Sequence, residues 1–104
     1  MNKPTKTLLV TRHPAAKEWI LSKGINVDSV HDHFDPDMIV ENICVIGVLP
    51  LQLIALVCEA NGEFFNLNLN VPQELRGAEL SLDQLKNLNP ILQRYEVRSG
   101  ETIT

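Results

Sequence analysis

"ICVIGVLPLQLIALVCEANG", residues 43–62, is the stretch on which the fold turns. Ile43 to Val48 is a β-rich run that is apolar at successive positions, so both of its faces are apolar. A strand with one wet face alternates apolar and polar residues. A strand covered above and below does not, and that is the condition of an inner strand in a parallel sheet. Leu49-Pro50 then turns the chain into a helix. Leu51, Ile54, Ala55 and Cys58 form one apolar stripe of that helix, and Leu53, Leu56 and Val57 form a second. A helix apolar on two sides is deeply buried or packs on a partner chain. Asn61-Gly62 closes it.

The same order of elements stands on either side. Leu8-Leu9-Val10 reads as a first buried strand. Pro14 suits the first helical position, Ala15, Ala16, Trp19 and Ile20 recur at helical spacing, and Gly24 is a stop. Ile25 to Val30 reads as a second strand, and "HDHFDPD" (31–37) as a polar loop punctuated by Pro36. In "EFFNLNLN" (63–70), Leu67 and Leu69 alternate with Asn66, Asn68 and Asn70, which predicts a half-buried strand ended by Pro72. Ser81-Leu82-Asp83-Gln84 fits a capping box that opens a helix with Leu82, Leu85 and Leu88 inward. Asn89-Pro90 interrupts it, and a further helical turn and a last strand are expected before Val97. Repeated strand–helix–strand units predict a small α/β fold, a mostly parallel sheet flanked by helices.

The 104 residues predict a single domain over 1–104, small enough that dimerisation would add stability. With 44% hydrophobic and 21% charged residues, the composition is that of a globular chain rather than a disordered one. The net charge of -4 argues against wrapping long DNA or RNA, which needs a broad basic surface, but not against a local anion pocket. Cys44 and Cys58 lie in apolar segments with no CxxC or zinc spacing, and read as buried reduced thiols. "MNKPTK" has no secretory hydrophobic core and no apolar run is long enough for a bilayer, so the expected location is the cytoplasm, with no membrane partner.

Ligands of open parallel sheets bind beyond the carboxyl ends of the strands. Thr11-Arg12-His13 falls there, where a helix begins. Free helix N–H groups favour an anion, and Arg12 offers a fork for phosphate. Gly47 to Pro50 falls there too, with Gly47 able to admit a ligand to the backbone. Asn66, Asn68, Asn70 and Arg76 make a third polar group. Each has a purely structural alternative: Thr11 as a cap, Arg12 as a carboxylate partner, Gly47 and Pro50 as turn residues, the asparagines as a solvated strand face. Ser81 is a cap and not a nucleophile. His31, Asp32, His33 and Asp35 could ligate a metal, but only the distant His13 offers a third imidazole. A solvated loop is the expectation, and no metal or other cofactor is assigned. GxGxxG, Walker A, GxSxG and HExxH are all absent.

"VTRHPAAKEW" (10–19), "HFDPD" (33–37), "GVLPLQLIALVC" (47–58) and "RGAELSLDQL…YEV" (76–97), in this order, resemble the CRISPR-associated Csx-sixteen family, encoded beside type III CRISPR systems. The resemblance covers residues 7 to about 97. It implies a Rossmann-like fold related to CARF domains and a homodimer whose central pocket holds a cyclic oligoadenylate. It also implies ring-nuclease activity on cyclic tetra-adenylate, which would switch off the second messenger of type III effectors.

Chemistry and position, rather than the resemblance, assign the roles. A ribose 2′-OH lies beside each phosphodiester of the ring, so a metal-independent enzyme need only align it in line and stabilise the phosphorane. Arg12 would hold the phosphate and His13 would move a proton. Thr11 and the Gly47, Val48 and Leu49 backbone would bind phosphate oxygens, and Asn68 and Arg76 would read adenine or ribose. Two alternatives stand beside this: a sensor or sponge that holds the cyclic nucleotide uncut, and a metal-dependent phosphodiesterase using His31 and His33.

Overall fold

The computed structural model describes residues 3–104. Four parallel strands carry the sheet: β1 (Thr7–Val10), β2 (Ser29–His31), β3 (Cys44–Gly47) and β4 (Glu63–Asn68). A fifth, β5 (Ile91–Tyr95), runs antiparallel at the edge beside β4. The spatial order is β2-β1-β3-β4-β5. The chain thus winds outward from β1 to β2, returns across it, and winds the other way from β3 to β4. Right-handed crossovers in opposite directions place successive helices on opposite faces. Helix α1 (Pro14–Leu21) lies on one face, joined by α3 (Leu82–Lys86), and α2 (Leu51–Glu59) lies on the other. This is a Rossmann-like α/β arrangement, as the sequence predicts.

Alternation within the inner strands feeds both layers. Leu8, Val10, Val45 and Phe64 point to the α2 side, where they meet Ile54 and Val57. Leu9, Cys44 and Ile46 point to the other side, where they meet Ala15, Ala16, Trp19, Ile20 and Leu85. Leu9, Val45 and Phe64 are wholly buried, and each such side chain contributes about 1.5–3 kcal/mol by leaving water. The two cysteines sit in different layers, Cys44 with the α1 cluster and Cys58 against the α2 cluster. The sheet between them forbids a disulfide, and both thiols are free. Burial, and then the charge of Glu63, push the Cys44 thiol up to about 11, while Cys58 is only partly buried.

Four expectations need correction. The second strand begins at Ser29 rather than Ile25, because the Asp28 carboxylate accepts the Thr7 N–H at 2.7 Å, the place a ladder bond would take. Ile25 and Val27 still pack on the α1 cluster, which explains their apolar character. In α2 the inward face is Ile54, Ala55 and Val57, and Leu51 (68% exposed) and Leu56 (40%) face outward. No helical turn separates α3 from the last strand; Asn89, at φ 52°, turns the chain straight into β5. His31 is not a loop residue but the end of β2, its Nε2 within 2.7 Å of Ser29 Oγ.

The stops are legible in chemical terms. Asn61 takes φ 58° after α2, and the Gly62 N–H reaches back to the Val57 carbonyl at 2.9 Å, a Schellman closure. Helix α3 carries the capping box the sequence predicts, Gln84 N–H to Ser81 Oγ at 3.2 Å and Ser81 N–H to Gln84 Oε1 at 2.9 Å. Among the described residues, no helix is long and apolar enough to cross a membrane.

Candidate functional site

The strand order reverses between β1 and β3, and the segments leaving their carboxyl ends part to opposite faces, α1 to one and α2 to the other. A crevice at that point is the usual ligand position in such sheets. Here Val10, Thr11, Arg12, His13, Asp32 and Val48 line a cleft of about 340 Å³. The β1 exit, the β3 exit and the β2 exit all contribute, since Val10 is in register with both Gly47 and His31.

Gly47 makes the crevice narrow at its base. Its φ is +135°, and a Cβ on it would lie 1.9 Å from the Val10 carbonyl oxygen. The missing side chain therefore admits the backbone of β1, not a ligand, which corrects the role expected of Gly47. The Val48 N–H donates to the same carbonyl at 3.1 Å, so it is not available to a phosphate oxygen either. The Val48 side chain is 59% exposed at the lip of the cleft. Leu49 turns its side chain into the α2 core.

Both flanking helices begin without a side-chain cap. The N-cap residues are His13 for α1 and Pro50 for α2, and neither first turn holds an acidic residue. Pro14 at the start of α1 removes one donor, but the remaining first-turn N–H groups carry the positive end of each helix dipole. By contrast α3 is fully capped. Thr11 is buried, and its Oγ1 accepts the His13 N–H at 3.1 Å, which fixes the turn and leaves the hydroxyl proton free to donate.

His13 is held from the far side. The Leu80 N–H donates to its Nε2 at 3.2 Å, so the proton of the neutral ring resides on Nδ1. That Nδ1 is buried and has no partner among the described residues. An unpartnered buried N–H costs about 1–3 kcal/mol, a cost that an acceptor reaching it would offset. The same bond takes up the lone pair with which His13 would accept a proton. The geometry makes His13 a donor rather than a proton carrier.

Arg12 is exposed, with one guanidinium nitrogen 3.1 Å from both Nδ1 and Nε2 of His33. Next to it Lys17 pairs with Asp32 at 2.6 Å, and chiefly this bond holds the Asp32 carboxyl below its ordinary range. The loop that brings His33 here is anchored by Phe34, Met38 and Ile39 on the α2 core, and by Asp35, which accepts the Asp37 N–H at 2.9 Å. His31 and His33 thus diverge, and among the described residues no group of three or more His, Cys, Asp or Glu side chains is placed to hold a metal.

The cleft does not include Asn68 or Arg76. Asn68 belongs to a network on the β4–β5 side, receiving the Asn66 amide at 2.7 Å and donating to Tyr95 Oη at 2.9 Å. Two strand spacings, about 10 Å, separate β4 from β1. Arg76 is exposed just after a short 3-10 turn at Gln73–Leu75. Sequence reasoning named His33 and Asp32 only as a solvated loop or metal ligands, and missed Lys17 and the Leu80 N–H. The first two were within reach, since β2 ends at the same edge of the sheet as β1. The Leu80 contact, 67 residues from His13, left no local signal.

A larger cleft of about 840 Å³ opens at the amino ends of the strands. Its cations Lys3, Arg94 and Arg98 face the carboxylates of Glu59, Glu63 and Glu96, and Arg94 pairs with Glu63 at 3.3 Å and Glu96 at 2.8 Å. Charge there is balanced, whereas in the β1–β3 crevice Asp32 pairs with Lys17, and Arg12 has no ion pair among the described residues.

Residues 8–98 match the model of a protein family described as "Putative CRISPR-associated protein (Cas_VVA1548)". The chain belongs to this CRISPR-associated family. The match runs from β1 through β5 and takes in every residue that lines the cleft. Neither a curated protein nor a solved structure matches the chain.

Proposed function

We propose that this CRISPR-associated protein binds a cyclic oligoadenylate, cyclic tetra-adenylate first, and opens its ring without a metal. That would silence the second messenger of type III CRISPR defence. The family and the resemblance to the Csx-sixteen proteins direct the reading to this ligand. The observation that carries it is the crevice between β1 and β3: Arg12, exposed and without an ion pair among the described residues, lines it together with His13 and the uncapped start of α1, in a chain of net charge -4.

In this reading Arg12 holds a phosphodiester by a charge-assisted fork, and His13 and the Thr11 hydroxyl donate to its oxygens. Leu49 and the first turn of α2 approach from the opposite wall. Asn68 and Arg76, outside the crevice, would contact the parts of a ring that extend beyond one phosphate. The 2′-oxygen bonds to phosphorus as the P–O5′ bond breaks, and the proton of the 2′-OH ends on the 5′-oxygen. No water is consumed, and the products are linear oligoadenylates with 2′,3′-cyclic phosphate ends. A symmetric ring suits a two-fold dimer, and exposed Val48 and Leu51 beside the crevice supply apolar surface for one.

One observation favours the second reading, a protein that holds the ring uncut. Within the cleft the proton acceptors are already engaged, His13 with Leu80 and Asp32 with Lys17. Labelled cyclic tetra-adenylate under single-turnover conditions, with EDTA present, separates the readings. Conversion to a linear product with a 2′,3′-cyclic phosphate is the expected result. Binding without conversion selects the second reading, and the absence of both refutes the ligand.

A further inference from the structure

We propose that His33, not His13, carries the proton in ring opening, and that Arg12 masks it until a phosphate arrives. The inference rests on the ring-opening reading and names a group that reading lacks. His13 is spoken for at Nε2 and can only donate at Nδ1. Asp32 is paired with Lys17 and held in its charged, weakly basic form. His33 is exposed beside Arg12 of the same cleft, on a loop anchored to the core, and among the described residues its ring's one hydrogen-bonding partner is that cation.

That contact has a definite chemical meaning. A guanidinium has no lone pair, so it meets an imidazole favourably only when the ring is neutral and offers one. The Arg12 nitrogen stands 3.1 Å from each ring nitrogen and so occupies space through which another group would approach the ring. A phosphate oxygen is a charged acceptor and competes with the neutral ring for the same guanidinium. When Arg12 turns to a phosphate, the freed ring, carried by the neighbouring loop, moves to within hydrogen-bond reach of the 2′-OH that must be deprotonated. His33 takes the 2′-proton as the O–P bond forms, and returns it to the 5′-oxygen as the P–O5′ bond breaks. Arg12, Asp32 and, through Asp32, Lys17 are the charged groups around it. Binding and unmasking of the base are thereby one event.

Single-turnover cleavage of labelled cyclic tetra-adenylate by wild type, His33→Ala and His31→Ala, with binding measured on the same preparations, tests this. His33→Ala is expected to slow ring opening by about 100- to 10,000-fold, the usual contribution of a positioned acid–base group. Its dissociation constant should be unchanged or lower, because Arg12 no longer has a competing partner. Added imidazole should restore part of the lost rate, and His31→Ala should cleave as wild type does. A His33→Ala rate within tenfold of wild type overturns the assignment and leaves the ring-opening reading standing. Weakened binding with no change in the bound-state rate also overturns it, making His33 a ligand contact. Wild-type protein that binds without cleaving removes the assignment together with the enzymatic reading.

Discussion

Gly47→Ala probes the contact on which both the sheet and the crevice depend. The added Cβ would start 1.9 Å from the Val10 oxygen and 2.8 Å from the Val10 carbonyl carbon, atoms of a backbone that cannot rotate away. Reaching even 3.0 Å from that oxygen requires β1 and β3 to part by about 1.1 Å, the difference of the two distances. The Val48 N–H bond to Val10, now 3.1 Å, would not survive that separation. Three costs then add: strained backbone at φ +135°, about 1–3 kcal/mol; overpacking, about 1–3 kcal/mol; and one hydrogen bond, about 0.5–1.5 kcal/mol. A total of about 2.5–7.5 kcal/mol is a large part of the roughly 5–15 kcal/mol that a domain possesses. At about 4 °C per kcal/mol for a chain of this size, the melting temperature should fall by roughly 10–30 °C. Gly24→Ala is the control, because Gly24 also has a positive φ (+76°) but nothing within 4 Å of a Cβ. It should cost only the backbone part, about 1–2 kcal/mol. Thermal unfolding followed by circular dichroism reads both. If the two variants melt within a few degrees of each other, β1 and β3 do not approach as described, and the crevice argument fails with them.

Arg12→Ala should weaken binding of cyclic tetra-adenylate by about 1.5–3 kcal/mol, roughly 10- to 150-fold in the dissociation constant, with little change in melting temperature. A large fall in stability at unchanged affinity would make Arg12 structural. Leu51→Glu places a charge on a residue already 68% exposed and should leave melting unchanged while converting a dimer to a monomer by light scattering; a wild-type protein that is monomeric at micromolar concentration refutes the dimer. Native protein at pH 8 should be alkylated at Cys58 and not at Cys44. With the Cys44 thiol at about 11, its thiolate is about one part in a thousand there, and denaturant should equalise the two. Labelling of Cys44 at the Cys58 rate in native protein would contradict its burial.

The architecture was legible because its determinants are local and apolar. Doubly apolar strands such as Ile43–Val48 have one common solution, and Pro14, Asn61-Gly62 and the Ser81–Gln84 box mark their boundaries chemically. Where the reading slipped, a polar side chain had intervened at a distance. Asp28 takes an N–H from β1 and so trims β2, a bond between residues 21 apart in sequence. The face of α2 was unreadable from its own residues, since seven of its nine are apolar and only packing selects Ile54 and Val57 over Leu51 and Leu56. For the site, strand order carried the information. Knowing that β1 sits between β2 and β3 places Thr11, Arg12 and His13 against both the 32–33 turn and Val48. Residue type alone could not tell which histidine is engaged. His13 and His33 differ in what reaches them, a backbone N–H in one case and a guanidinium in the other.

The contact that builds the crevice is also a constraint on how it can be tested. Val10, Gly47 and Val48 close the base of the cleft through backbone alone, and Thr11 is buried in the turn above them. Substitution at Val10, Gly47 or Thr11 moves the strands and the ligand site together, so lost activity there would carry no information about chemistry. His13 is intermediate, because removing its ring also leaves the Leu80 N–H unpaired and loosens the segment that leads into α3. Arg12 and His33 are different. Both are exposed, each touches the other, and neither belongs to the core. A double-mutant cycle on this pair therefore reads function without a folding term. If Arg12 both masks His33 and binds phosphate, removing His33 first should make the loss of Arg12 cost more in binding than it does in wild type, because the competing contact has gone. Additive effects would mean that the two side chains act independently, and the masking argument would fall.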